Sequence, residues 1–441
     1  MRAKRKGRKP AAALIRLVIV LIILTVAAVI SAVVLFDKNS DNHEQGSENN
    51  QEQQLTQKEF NTDPIKDEHQ ENEDLQMPDE GNTEEEETPA EDTVLVEQLL
   101  SEMSLHDKIC QMMLVAPETL TGVVTATAAS QVTQSAMMDY PVGGVILFAK
   151  NLQDRNQTVS MISNFQKYAK EYNGIGLFIS VDEEGGKVAR IAQKLGTTKL
   201  KPMYEYREQG TKVAYDNAVT LAKSLSQFGF NLDFAPVADI WSNSQNKVIG
   251  DRAYSDDYGK TAELVSSAVE GFHSENIMCT LKHFPGHGDT AEDSHTGSAY
   301  VYKTLDELRG NELLPFRAGI GSGADMVMVG HITVPEVDSL PASLSSVIIT
   351  DILRGKLEYD GVVITDSLSM NALTDHYGTD KIAVMAVQAG NDILLCQTGM
   401  KNMVRALEDA VANGEITEER IDESVRRILE LKYEYGLLPL V

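Results

Sequence analysis

The chain has 441 residues, more than one average domain, and a formal net charge of −27 at pH 7. This excess of acidic side chains disfavours binding to nucleic acid or anionic lipid, so no nucleic-acid partner is predicted. The three cysteines, Cys110, Cys279 and Cys396, are far apart and odd in number, which excludes a disulfide framework and a CxxC metal pattern. We expect each to be a small buried residue.

The first segment, residues 1–36, has the composition of a membrane anchor. It carries seven Lys or Arg and no acidic residue, and its 20 residues from Leu17 to Phe36 are all apolar or small. At about 1.5 Å per residue, a helix of this length spans roughly 30 Å, the thickness of a bilayer core. A secretory signal peptide has a shorter apolar region followed by a cleavage site, so an uncleaved transmembrane helix is predicted.

The second segment, residues 37–93, is predicted to be a disordered acidic linker. It contains three Lys and 20 Asp or Glu, and its apolar residues are too few to form a core. The basic residues before the apolar run favour a cytoplasmic N-terminus, so everything after the run is predicted to lie outside the cell membrane. The sequence thus predicts a single-pass membrane protein with its main domain tethered on the outer side.

Residues 94–441 are predicted to form a single (β/α)8 barrel of the TIM type. Short apolar runs alternate with helical patterns, of which 215–228, 379–389 and 418–435 are the clearest. The runs are continuous, as expected for parallel strands buried on both faces, and eight of them predict a barrel. The predicted strands are 111–115, 144–148, 177–181, 232–237, 277–281, 326–330, 362–365 and 393–396.

A nucleotide-binding doubly wound fold is the other architecture considered for this alternation. The glycines at 185–186 and at 321–323 do not have the GxGxxG spacing after a first strand, and the sequence contains no GxxxxGK[ST] motif. The nucleotide-binding interpretation is therefore rejected.

Charged or titratable residues follow five of the predicted strands. In a barrel the functional site forms at the carboxyl ends of the strands, so these side chains are expected to meet at one mouth. Each charged residue could also be part of an ordinary ion pair there. A carboxylate directly after a strand could have no role beyond capping the N-terminus of a helix. The residues are Asp182, Asp239, Arg252, Lys282, His283, His331 and Asp366.

The stretch from Lys282 to Thr290, followed by Asp293-Ser294-His295, is the most informative part of the chain. It combines three histidines, two aspartates and a lysine with glycine and proline residues that break helices, so it is predicted to be a functional loop at the end of a strand. Asp293 and His295 can hydrogen-bond within a turn, which favours the protonated imidazole. A histidine with an ordinary pKa of about 6.5 can donate and accept protons near neutral pH.

This stretch resembles the signature of glycoside hydrolase family 3, in the branch that contains the NagZ-type β-N-acetylglucosaminidases. The resemblance covers residues 95–441 and leaves little room for the second sandwich domain that many members carry. It implies a barrel enzyme that requires no metal or other cofactor. The chain departs from the family at Lys187, where members have Arg, at Glu183, where many have Gln, and at Ser367, where many have a second Asp.

The resemblance also implies roles for individual residues. Asp366 matches the catalytic nucleophile, His295 the general acid/base, and Asp293 the residue that orients this histidine. His287 is expected to shape the loop and His331 to line the site. The residues implied to bind the first sugar are Asp182, Arg190, Arg252, Lys282 and His283.

The sequence therefore predicts a retaining exo-β-N-acetylglucosaminidase that hydrolyses terminal GlcNAc, with peptidoglycan fragments (muropeptides) as the substrate expected outside the cell. One alternative is a β-glucoside or β-xyloside substrate. A second is transfer of the sugar to phosphate, because a neutral histidine as acid/base repels phosphate less than a carboxylate would. A non-catalytic wall-binding protein is a third alternative. A zinc site is a fourth, with ligands from His283, His287, Asp289, Asp293 and His295.

Overall fold

Eight parallel strands form the centre of the fold, and each lies on one of the predicted apolar runs. Every residue of these strands is buried, as expected for a parallel sheet covered by helices. We number them in chain order: β1 (Met113–Val115), β2 (Gly144–Ile146), β3 (Phe178–Val181), β4 (Leu232–Asp233), β5 (Met278–Phe284), β6 (Met326–Val329), β7 (Val362–Thr365) and β8 (Leu394–Cys396).

The strands follow one another around a barrel. Each pairs in parallel with the next, and β1 also pairs with β8, where Leu114 lies opposite Leu395. A bridge between Ile364 and Ile393 brings β7 to β8, so the ring is nearly closed. The predicted α/β barrel of the TIM type is confirmed, and the carboxyl ends of all eight strands open at one mouth.

The computed structural model describes residues 91–291, 294 and 297–439. The transmembrane helix predicted within residues 1–36 and nearly all of the linker predicted for 37–93 lie outside the described residues, as do Asp293 and His295. Within the part of the chain that is described, no helix is both long enough and apolar enough to cross a membrane.

Helices cover the outside of the barrel, and several begin at a residue that caps their free N–H groups. The Asp257 carboxylate accepts from the N–H of Lys260, and Thr417 accepts from the N–H of Arg420. The α-helices are Glu91–Glu102, Leu105–Gln111, Pro117–Thr121, Gln131–Asp139, Arg155–Asn173, Arg190–Leu195, Thr211–Ser226, Tyr258–His273, Leu305–Gly310, Leu313–Gly321, Asn371–Thr374, Thr379–Ala389, Met400–Ala412 and Glu418–Glu434, with a π-helix at Val347–Arg354.

The first of these helices packs against the last helix of the chain. It begins at Glu91, three residues before the predicted domain boundary at residue 94, and buries Leu95, Val96 and Leu100. On the last helix, Ile421, Val425, Ile428 and Leu429 are fully buried, which agrees with the packing role expected from their spacing. All three cysteines are free and buried, as predicted.

Two small sheets extend the barrel at its mouth. After β3, the segments Glu183–Gly185 and Val188–Ala189 form an antiparallel hairpin. After β6, the strand Ile332–Val334 pairs with Asp338–Pro341 on one side and with Ala299–Tyr300 on the other. Both sheets grow from strands whose carboxyl ends carry predicted site residues, so they help to shape the entrance.

Candidate active site

A cavity of about 490 Å³ opens at the carboxyl ends of the barrel strands. Apolar side chains such as Phe148, Phe234 and Met370 line part of its wall. Eight residues were predicted to act in catalysis or to bind the first sugar. Six of them line the cavity together: Asp182, Arg190, Arg252, Lys282, His283 and Asp366. Residues that lie up to 184 positions apart in the sequence therefore meet at one mouth, as the barrel topology requires.

Glu184 holds two of the predicted sugar-binding cations in place. Its side chain is 3% exposed and accepts two hydrogen bonds from the Arg252 guanidinium, at 2.7 and 2.8 Å. The same carboxylate lies 2.7 Å from Lys282 Nζ, which also donates to Asp182 Oδ1 at 2.8 Å. The sequence prediction missed Glu184 as a site residue, although three consecutive acidic residues after a buried strand were a usable signal.

The charges in this cluster stabilise one another. Burial alone would raise the pKa of Glu184, but the neighbouring Arg252 and Lys282 outweigh burial and hold it well below its usual range. Burial alone would lower the pKa of Lys282, and Asp182 and Glu184 raise it instead. Glu184, Arg252 and Lys282 are therefore all ionised at neutral pH, with fixed donors and acceptors at the cavity wall.

Lys282 and His283 are neighbours in sequence, yet both line the cavity. In a regular strand, successive side chains point to opposite faces. Here the pairing between β5 and β6 shifts, because Lys282 lies opposite Met328 and Phe284 lies opposite the next residue, Val329. This bulge places an extra residue, His283, on the cavity side, a known use of bulges next to functional sites.

Asp239 orients His283 and anchors the loop that follows it. The buried carboxylate accepts from His283 Nδ1 at 2.7 Å and from the backbone N–H groups of His283 and His287 at 3.1 and 2.6 Å. Burial would raise the pKa of Asp239, but the electrostatic interaction with His283 and the hydrogen bonds that Asp239 accepts outweigh burial and lower it, so Asp239 stays ionised. The sequence placed Asp239 at the mouth without assigning it this role, because its partners come from another strand.

His287 is part of the loop structure, as expected. Its Nε2 contacts Ser294 Oγ and its Nδ1 contacts Thr290 Oγ1, both at 2.9 Å, and its side chain is almost fully buried. Burial lowers the pKa of His287, so the ring is neutral at pH 7. A Cβ atom at Gly288 would overlap the carbonyl oxygen of Ile240, so the loop can pack this closely only with glycine at that position.

Asp366 follows β7 directly and reaches the cavity. It is half-buried, its N–H donates to the carbonyl of Val329, and its Oδ1 accepts from the N–H of Ser367 at 2.6 Å. His331 Nε2 donates to the carbonyl of Ser367 at 2.8 Å, while its Nδ1 contacts Ser343 Oγ. His331 was expected to line the site; it instead lies behind the backbone of Asp366 and Ser367 and fixes their position.

Arg190 and Glu183 belong to the hairpin at the edge of the cavity. The Arg190 side chain lines the cavity and interacts electrostatically with the nearby Glu183. Glu183 is buried and accepts from the N–H groups of Ile191 and Ala192, at 2.7 and 3.1 Å. Burial raises the pKa of Glu183 to about 7, although these two hydrogen bonds oppose the rise.

Asp293 and His295 lie outside the described residues, so their roles stay predictions. The zinc alternative relied on both, together with His283, His287 and Asp289. Within the described residues, the one group with metal-ligand geometry is different: His273, Cys279 and Asp325, whose ligand atoms lie within 4.8 Å of one another. These residues precede or begin β5 and β6, at the end of the barrel opposite the cavity. The described part of the chain gives the zinc alternative no support at the cavity.

The same residues connect the chain to known proteins. Residues 104–431 match the family described as "Glycosyl hydrolase family 3 N terminal domain", so the chain belongs to glycoside hydrolase family 3. The resemblance identified from the motif is thereby confirmed. Beta-hexosaminidase A of Pseudoalteromonas piscicida is 34% identical over 319 residues, which are 66% of this chain and 53% of that protein. Beta-hexosaminidase of Stenotrophomonas maltophilia is 36% identical over 58% of this chain and 76% of the relative.

Solved structures agree with the family assignment. A glycoside hydrolase family 3 beta-N-acetylglucosaminidase from Paenibacillus sp. str. FPU-7 superposes with a TM-score of 0.72 at 38% identity, covering 77% of this chain and 65% of that one. The chain thus spans about half the length of the Pseudoalteromonas relative and about two thirds of the Paenibacillus structure.

Proposed function

We propose that this protein is a retaining exo-β-N-acetylglucosaminidase that removes terminal β-linked GlcNAc. The observation that carries the proposal is the cavity in which Asp366 meets Asp182, Arg190, Lys282 and His283. A half-buried carboxylate facing a ring of fixed polar groups is what attack on a bound sugar requires. The similarity to beta-hexosaminidases and to a beta-N-acetylglucosaminidase structure supports GlcNAc as that sugar.

In the first step, the Asp366 carboxylate attacks the anomeric carbon of GlcNAc. The bond to the leaving oxygen breaks, and His295, oriented by Asp293, donates the proton that this oxygen takes up. The hydrogen bond from Ser367 N–H to Asp366 Oδ1 fixes the orientation of the carboxylate for this attack. A covalent glycosyl-enzyme and a free aglycone result.

In the second step, water hydrolyses the glycosyl-enzyme. His295, now neutral, accepts a proton from the water as it attacks the anomeric carbon, and Asp366 leaves as a carboxylate. Two inversions give net retention of configuration. Throughout both steps, Asp182, Lys282 and His283 hold the hydroxyl groups of the sugar, while Glu184 keeps Lys282 and Arg252 from moving.

The cell-wall substrate is the second part of the proposal. If residues 17–36 form an uncleaved anchor, the barrel lies outside the membrane, where GlcNAc occurs in peptidoglycan fragments. Testing the anchor is direct: the mass of the mature protein, recovered from the membrane fraction, should include residues 1–36. Recovery of a chain that lacks them would contradict this location.

Hydrolysis of p-nitrophenyl glycosides tests the proposed activity. Clear preference for the β-GlcNAc compound over the β-glucose and β-xylose compounds is expected. Asp366→Asn should lower kcat by a factor of at least about 10³ while the circular dichroism spectrum stays unchanged, because removal of a nucleophile leaves only binding and electrostatic effects. Full activity of Asp366→Asn would contradict the nucleophile assignment, and preference for glucose would contradict the proposed substrate.

Two alternatives have their own readouts in the same assay. Transfer to phosphate predicts that inorganic phosphate accelerates release and yields the sugar 1-phosphate instead of free GlcNAc. A non-catalytic binding protein predicts that muropeptides bind without turnover. Release of free GlcNAc at the same rate with and without phosphate contradicts both alternatives.

A further inference from the structure

Two tyrosines near the cavity form an exposed aromatic surface. The side chains of Tyr300 and Tyr302 stack with their ring centroids 6.0 Å apart and their planes 17° from parallel. Tyr300 is 37% exposed and Tyr302 is 72% exposed. Large aromatic side chains are usually removed from water, so a stacked pair left this open is a candidate binding surface.

The local sequence explains why both rings point outward. Ala299 and Val301 are buried at 0% and 1% exposure, and Tyr300 and Tyr302 alternate with them. In extended chain, alternate side chains share a face, so the apolar pair fixes the segment to the barrel and the tyrosines occupy the outer side. Because the inner residues secure the segment, the exposed faces of the two rings can contact a ligand.

The tyrosine pair lies next to the candidate active site. Tyr300 pairs with Thr333 in the small sheet that grows from β6. Two residues before Thr333, His331 contacts the carbonyl of Ser367, which follows the proposed nucleophile. On the other side, Ser298 Oγ lies 3.0 Å from Nε2 of His376, in the loop after β7. The aromatic surface therefore flanks the mouth of the barrel between the loops of β6 and β7.

We propose that Tyr300 and Tyr302 bind sugar residues beyond the one that is cleaved, on the leaving-group side of an oligosaccharide. This proposal rests on the proposed function. The exo reaction buries one terminal sugar in the cavity, so the rest of the chain must leave through the mouth, next to the tyrosine pair. The faces of a pyranose ring carry C–H groups with partial positive charge, which pack favourably on the negative face of an aromatic ring.

The chemistry of the pair selects an uncharged ring as its ligand. Aromatic faces offer contact area and a hydroxyl group at low conformational-entropy cost, which suits flat, partly polar partners. The cation that follows the pair in sequence, Lys303, is engaged with Glu312 and Asp289, so it is not positioned to select an anionic group. Specificity would come from ring shape, and the pair would favour longer β-linked amino-sugar chains over monosaccharide glycosides.

Kinetics of the purified full-length chain tests the proposal. The measured quantity is kcat/KM for chitotetraose divided by kcat/KM for the p-nitrophenyl β-GlcNAc monosaccharide. The double variant Tyr300→Ala/Tyr302→Ala should lower this ratio by about 3- to 10-fold, the range expected from losing aromatic contacts of this kind. Tyr302→Phe keeps the ring and should keep the ratio.

A matched control is Tyr433→Ala, which removes from the last helix a tyrosine whose exposure, 39%, is close to that of Tyr300. It should leave the ratio unchanged. An unchanged ratio in the double variant would overturn the proposal while leaving the proposed function intact.

Binding of chitotetraose to Asp366→Asn, measured by calorimetry, tests the same surface without turnover. There the added tyrosine substitutions should weaken binding by a similar factor; equal affinity would also overturn the proposal. Failure of the proposed function itself would look different, since the unsubstituted chain would then release no GlcNAc from either substrate.

Discussion

Glu184 shows how a single buried carboxylate can organise the candidate active site. Its ion pairs join Arg252 and Lys282 in one network, and Lys282 extends the network to Asp182. The free energy needed to remove these charges from water offsets most of their Coulombic attraction, so the network adds little net stability. Its benefit is geometric, because the donors that face the substrate cannot relax toward one another.

Replacing Glu184 by Gln should therefore harm both folding and activity. Arg252 and Lys282 would keep their buried positive charges without the compensating carboxylate, which costs roughly 3–5 kcal/mol in the free energy of unfolding. Urea denaturation followed by circular dichroism measures this loss. Activity should fall as well, because both cations lose their fixed position.

The matched control is Asp216→Asn, which breaks an exposed ion pair of the same 2.7 Å length with Lys212. Exposed pairs contribute little, so a change below about 0.5 kcal/mol is expected. Equal effects of the two substitutions would show that the buried cluster is not under the proposed constraint.

Asp239 is predicted to act through His283. In Asp239→Asn, the side-chain amide would place N–H donors against the donors of His283 or His287, which would displace the ring. A fall of about 100-fold in kcat/KM is expected, since small misplacements of site groups have effects of this size. The control is a double-mutant cycle: in a His283→Ala background, Asp239→Asn should cost much less. Additive losses would contradict a positioning role.

At the scale of elements, the apolar runs predicted the strands well, and chemistry at the strand ends was predicted less completely. β7 matches its predicted range, but β5 extends three residues past its predicted end and includes Lys282 to Phe284. The polar residues Lys282 and His283 and the nearby Pro285 do not fit the apolar pattern from which strands were predicted. The bulge depends on pairing with β6, which no local sequence pattern reveals. For the same reason, Asp239 could be placed at the mouth but not assigned its partners, and Glu184 was missed as a site residue.

The hairpin after β3 gives a pH-dependent stability prediction at Glu183. Its carboxylate accepts two N–H groups at the start of the helix Arg190–Leu195, while burial raises its pKa to about 7. The folded state therefore holds this proton at pH values where the unfolded chain, with its ordinary carboxyl pKa, has released it. Unfolding then becomes easier as pH rises from about 4.5 to about 7, and the lost stability is not regained above that range.

The substitution Glu183→Gln removes this titration, since an amide has no proton to release. The unfolding free energy of the unsubstituted protein minus that of the Glu183→Gln variant should be largest at pH 5 and smallest at pH 8, as measured by urea denaturation at both values. The reference variant, measured at the same two pH values, is Glu419→Gln at an exposed helix start. A pH-independent difference at Glu183 would contradict the raised pKa.

At the scale of the whole molecule, the barrel could be predicted from the eight apolar runs, and its mouth from the charged residues that follow them. The helix Glu91–Glu102 was not predicted, because its first turn lies in the acidic stretch that was predicted to be a disordered linker. Its role depends on a partner more than 300 residues away, the helix Glu418–Glu434, where Arg426 contacts Glu97. Such long-range pairing leaves no local signal in the sequence.

Removing this helix should destabilise the barrel although it lies far from the candidate active site in sequence. A chain of residues 103–441 would expose the surface that Leu95, Val96 and Leu100 cover, and burial of three such side chains is worth on the order of 5 kcal/mol. That loss approaches the entire stability of many domains, so the shortened chain should melt well below a chain of residues 91–441 in calorimetry. Val94→Ser, at a position 54% exposed, should leave the melting temperature nearly unchanged. Equal melting temperatures of the two chains would mean that the helix Glu418–Glu434 is stable without the helix Glu91–Glu102 packed on it. The independently folding domain would then begin after Glu102.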